Sequence, residues 1–126
     1  MILTTTFKVF GQEYEQFRLD FNSYTIFDNT KMEWGDWIKG ESTFVINVNG
    51  HGDVKYFPAG KTETLFKKIS NVENDVNEKG AKYQVITVLD EVGNKFFFSI
   101  YEDPKIGVML IDSDGEHGLQ FSNTKN

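Results

Sequence analysis

The string Asp112-Ser113-Asp114-Gly115-Glu116 sets three carboxylates at alternating positions. This is the spacing with which the front of a calcium loop gathers oxygen ligands round a hard cation. A twelve-residue loop of that kind begun at Asp112 would need glycine at its sixth position and a bidentate glutamate at its twelfth. Those positions hold His117 and Asn123, and no flanking helices are expected. Asp-Gly is also a favoured hairpin turn, because both residues tolerate the backbone that a tight reversal demands. The turn is therefore the preferred reading, with Asp112, Asp114 and Glu116 kept as candidate cation ligands. His51 and His117 are the only histidines. With Asp53 or Glu116 they would form a His/carboxylate site only if their two turns met at one end of the fold, and a third close ligand is missing. No metal and no cofactor are expected.

Trp34-Gly35-Asp36-Trp37 is the second arrangement with chemical potential. Aromatic side chains on an irregular segment are what protein contacts use as anchors, which makes Trp34, Asp36 and Trp37 the candidate interaction residues. The competing reading is a plug closing one end of the fold. Paired carboxylates at Glu102-Asp103, Asp90-Glu91 and Glu73/Asp75 fall in expected turns or loops, where solvated charge accounts for them. No Gly-x-Ser-x-Gly, Ser-x-x-Lys, phosphate-binding glycine loop or His-Glu-x-x-His occurs, so no motif points to an enzyme. Arg18 is the only arginine, so bidentate clamping of a carboxylate or phosphate could come from that residue alone.

The elements that must position these residues are strands. At 126 residues the chain fits a single domain with a core of its own. Apolar residues recur with period two, the mark of half-buried strands. Phe17, Leu19 and Phe21 alternate, as do Leu3 to Val9, Phe44 to Val48, Tyr83 to Leu89, Phe96 to Tyr101 and Ile106 to Ile111. Tyr14, Phe17 and Phe21 also fit a helical spacing, but strict alternation over Phe17–Phe21 favours a strand, with Asn22-Ser23 as a bend or bulge. Residues 31–38 allow at most one short helix, and 70–80 read as a polar loop tip. Asn49-Gly50 between two alternating runs signals a hairpin.

Short connections force antiparallel neighbours. The expected fold is thus an all-β antiparallel meander of eight or nine strands, closing into a small barrel over residues 1–126 so as to hide its edges. A two-sheet sandwich is the alternative. Phe96–Tyr101 and Ile106–Ile111 are apolar on both faces and should sit centrally or under a covering segment.

Composition excludes several classes. There is no cysteine, so disulfides and thiolate chemistry are absent. A net charge of -6 without a basic stripe argues against nucleic acid. No apolar run approaches the ~20 residues of a membrane helix. The opening MILTTTFKVF lacks a basic stretch followed by a long apolar one, so no signal peptide and a cytoplasmic location are expected (virion or host cytoplasm if phage-encoded). The richness in Lys, Asn, Ile and Phe suits an A/T-rich bacterial or phage genome.

From Trp34 onward the layout resembles lipocalin-like or calycin-like meanders. A Trp-containing segment precedes a Ser/Thr-Phe-x-Ile strand, and a Val-Leu-Asp-x-x-Gly-Asn-Lys hairpin and a terminal apolar pair follow. The Gly-x-Trp of true lipocalins near the first strand is missing, and the carboxylate-binding set of fatty-acid-binding proteins has no counterpart beyond Arg18. The resemblance implies a barrel and names no ligand. The expected function is a non-catalytic protein-interaction or structural module, such as an assembly subunit or an acidic inhibitor or adaptor. A small apolar-ligand binder is the alternative and a small barrel enzyme a third. The expected partner is another protein, a basic one, since an acidic face steers encounter with it.

Overall fold

The computed structural model describes residues 15–58 and 60–124. The alternating run Leu3–Val9 and Tyr14 lie outside them. The described residues form ten strands and no helix: β1 (Phe17–Asp28), β2 (Glu33–Trp34), β3 (Ile38–Ile46), β4 (Val54–Phe57), β5 (Thr64–Lys68), β6 (Glu73–Val76), β7 (Lys82–Leu89), β8 (Lys95–Tyr101), β9 (Val108–Asp112) and β10 (Gly118–Ser122). Every pairing is antiparallel. Eight strands run round the ring in the order β1-β3-β4-β5-β7-β8-β9-β10, and β10 pairs back to β1 through Ser23↔Ser122 to Ile26↔Leu119. The barrel is therefore closed, and the sandwich alternative does not apply.

Two strands stand outside the ring, and both fall where the amino-acid pattern gives no strand signal. β2 replaces the short helix allowed over 31–38 and pairs Trp34 with Phe27. β6 occupies part of the stretch read as a loop tip and pairs Glu73↔Val85 to Val76↔Lys82. It continues β5 along the same edge of β7 after an excursion at residues 70–72, where the Ser70 hydroxyl takes over a ladder position by accepting the Thr87 amide at 2.8 Å.

The irregularity expected at Asn22-Ser23 belongs to the partner strand. Between Phe21↔Ser42 and Ser23↔Lys39, two steps on β1 span three on β3. The extra residue is thus at Gly40-Glu41, a β-bulge.

Inward side chains fill the lumen. Phe44, Phe98, Phe121, Ile46, Ile86, Val54, Val88 and Val108 are fully buried. Phe44 lies at the centre of an aromatic cluster, stacked on Tyr56 at 4.7 Å and edge-on to Phe121 at 4.9 Å. Burial pushes the Tyr56 phenol up to about 12, aided by nearby Tyr24 and opposed by a hydrogen bond with Ser42.

Candidate functional site

Residues directly opposite in an antiparallel ladder project to the same face, so the register alone maps the barrel's outside. One outer row reads Thr87, Phe97, Ile111, Gly118 across β7 to β10. The next reads Glu73, Val85, Ser99, Met109, Gln120, Thr25 from β6 round to β1. A third holds Asp75, Tyr83 and Tyr101. An outer barrel face should be polar where it meets water. Here Val85, Phe97, Met109 and Ile111 form an apolar patch among polar neighbours.

One half of the apolar face is covered by the β2 arm. Trp34 packs edge-on to Phe27 at 5.4 Å. A Cβ built on Gly118 would meet Trp34 Cη2 at 3.3 Å and Ile111 Cγ1 at 3.2 Å. The missing side chain at Gly118 is what lets the indole lie against the sheet. The arm is anchored by the Gly35 amide donating to the Ile26 carbonyl and by the Thr25 hydroxyl donating to the Gly35 carbonyl.

The other half is open. It forms a groove of about 410 Å³ whose floor is Val85, Thr87, Phe97, Ser99, Met109 and Ile111, flanked by Glu73 and Ser70 on the β5–β6 side. Phe97 stays 39 % exposed, while Ser99 and Tyr101 are buried although they point away from the lumen. Tyr83 and Tyr101 stack at 4.7 Å and close one end. Burial raises both phenols above their ordinary value, and Asp75 adds to the effect on each. They are thus hydrogen-bonding neutral groups at neutral pH. The groove thus offers apolar area, two phenols, the hydroxyls of Ser70, Thr87 and Ser99 and the Glu73 carboxylate.

Of the residues singled out from sequence, Trp34 is a packed cover. Trp37 is 42 % exposed, beside Ile38. Asp36 comes together with Glu116 and His117 round a shallow depression that also includes Ile26 and Ile38. His51 and Asp53 do not join them. Asp53 braces its own turn, accepting the Lys68 amide and the Asn49 side-chain amide. Among the described residues, ligand atoms of Asp112, Asp114 and His117 lie within 4.8 Å of one another. Glu116 is not in that group; His117 takes its place.

The carboxylates at this turn are engaged by it. Asp112 Oδ1 accepts the Glu116 and His117 amides, Asp114 Oδ1 accepts the Glu116 amide, and Asp112 Oδ2 lies 2.8 Å from His117 Nδ1. Burial pushes the Asp112 carboxyl up, but a proton shared with Asp114 and the hydrogen bonds from the His117 amide and imidazole outweigh it and hold the group at about 2. The same hydrogen bond raises His117. The fold favours charged Asp112, so its share of stability is complete above the ordinary 3.8 and fades as pH falls toward about 2. The fold also favours protonated His117, so that share is complete below 6.5 and is lost as pH rises through the elevated value. Asp112→Asn should lower His117 toward its ordinary value in an NMR titration of the imidazole, since Asp112 is the largest cause of the rise. An unchanged His117 in that variant would show that the pairing does not hold in solution.

Comparison of the chain with family models, with curated proteins and with solved structures gave no significant match.

Proposed function

We propose that this chain is a non-catalytic protein-interaction module whose contact surface is the outer groove on β7 to β9. The observation that carries the reading is the apolar floor left uncovered there, with Phe97 exposed toward one end of it. Apolar surface rimmed by polar groups on an otherwise hydrated face marks interaction sites. The fold itself covers the equivalent surface on β9 to β1 with Trp34. A carrier of apolar ligands inside the barrel, as the lipocalin-like layout suggested, is less well supported. Phe44, Phe98 and Phe121 fill the lumen against one another. The barrel-end dish at Leu19, Phe21, Ile100 and Val108 holds about 300 Å³, at the small end of the range for ligand sites.

Photo-cross-linking tests the reading directly. A photoreactive residue at Phe97 should yield one stoichiometric protein adduct in the source cells. The same residue at Val45, on the outer face of β3, should not. Met109→Glu should remove the adduct formed at 97. Equal adducts from both positions, or none from 97, would refute the assignment.

A further inference from the structure

The groove is charged oppositely at its two ends, and this bears on the partner's chemistry. At the tyrosine end, Glu73 and Asp75 project from β6 on the outer face, opposite Val85 and Tyr83. At the other end, Lys67 and Lys95 flank Leu89 in one outer row. All four charged side chains are exposed, and none has an ion-pair partner among the described residues. On β7 the groove lining runs from Tyr83 to Thr87, and Leu89 with its two lysines stands one outer row beyond; the six residues from Tyr83 to Leu89 cover about 20 Å. An extended segment of about six residues fits that length, with apolar side chains facing Phe97, Met109 and Val85.

We infer that, if the groove is the contact surface proposed above, its occupant is an extended polypeptide segment with an apolar middle, a Lys or Arg at one end and an Asp or Glu at the other. The cation sits beside Tyr83, Glu73 and Asp75, where the phenol ring faces add attraction for a cation. The carboxylate sits between Lys67 and Lys95. A second copy of this chain would present the same charges in reverse order about a two-fold axis, which is self-complementary. It would also set one hollow against another and leave the floor unfilled. The concavity therefore selects a protruding strand over a flat, identical face.

The test titrates the isotope-labelled full chain with capped peptides of about eight residues that share one apolar middle. One pair carries lysines at one end and glutamates at the other, in both sequence orders; a third peptide is lysine at both ends and a fourth glutamate at both. One mixed peptide should shift the Val85, Phe97 and Met109 amides and bind about tenfold more tightly than either single-sign peptide at low salt, the advantage shrinking as salt screens the exposed charges. The double variant Glu73→Lys, Asp75→Lys should move the preference to the glutamate peptide. Equal binding of all four peptides in the groove would overturn the charge assignment and leave the contact surface standing. No binding of any peptide, with a partner still cross-linked at Phe97, would do the same. Loss of that cross-link would instead remove the contact surface itself. A stable dimer through this face, or cross-linking of position 97 to residues 1–14 of the same chain, would also overturn the inference.

Discussion

Gly107→Ala should lose about 3 kcal/mol of stability or more, enough to abolish cooperative folding in a domain of ordinary stability. Gly107 ends the β8–β9 turn with a φ of 78°, a conformation that charges any other L-residue about 1–2 kcal/mol. The larger cost is contact. A Cβ at this position would run into the Phe121 carbonyl oxygen, with Phe121 C at 3.1 Å and Ser122 Cα at 3.3 Å behind it. All three are backbone atoms of β10, the strand that closes the ring between β9 and β1, so none can rotate aside. The turn is fixed from its other side too. The Gly107 amide donates to the Asp103 carbonyl, the Gly107 carbonyl accepts the Tyr101 amide, and Gln120 Nε2 donates to the Ile106 carbonyl at 2.9 Å. Gly115→Ala is the control. Its φ of 77° is the same, but nothing lies within 4 Å of its Cβ. Denaturant unfolding should show only the conformational cost at Gly115 and several times that at Gly107. Equal losses at the two positions would mean that β10 yields.

The contrast between those glycines shows where sequence reading stops. A Gly in a turn is legible as a residue that permits positive φ; which strand it approaches is not, because that depends on ring closure far along the chain. The same division runs through the fold. Phe17-Arg18-Leu19-Asp20-Phe21 declares β1 by its alternation, and the long ladders of β7, β8 and β9 are equally plain, since one side of each strand meets the filled lumen. β6 leaves no such mark. All four of its residues are exposed, so no hydrophobic period forms. Its conformation comes from pairing with β7 and from the Asn77 side chain, whose Oδ1 accepts the Lys79 and Ala81 amides and tightens the turn. β2 is too short to carry a period. The site was half visible. Apolar residues on both faces of Phe96–Tyr101 and Ile106–Ile111 signal a surface needing cover. That Trp34 supplies the cover over Gly118 and stops short of Phe97 follows only from the fold. Sequence therefore drew attention to the tryptophans, and the open surface lies on the strands beside the one Trp34 shields.

Phe44→Ala should cost about 3–5 kcal/mol, which is a large share of the roughly 5–15 kcal/mol that holds a domain folded. Phe44 is 0 % exposed. Its ring meets Tyr56 at 4.7 Å, Phe121 at 4.9 Å, Phe98 at 5.1 Å and Phe21 at 6.2 Å. These partners come from β4, β10, β8 and β1, so the ring ties opposite walls of the barrel together and no single strand can move in to fill the space it leaves. Aromatic pairs add stabilisation beyond buried area, and four of them go at once. The midpoint of thermal unfolding should fall by more than about 10 °C, with Phe44→Leu recovering most of the loss because it restores much of the volume. Phe97→Ser provides the opposing case on the neighbouring face. Phe97 is 39 % exposed over the groove floor, so its removal should change stability by less than about 1 kcal/mol while abolishing partner binding at that surface. If Phe97 proved as costly as Phe44, its ring would be holding the barrel together, and the case for a free contact surface would fail with it. If it proves nearly free, an aromatic side chain stands on a wetted face where stability does not require it, and binding is the physical reason left for its presence.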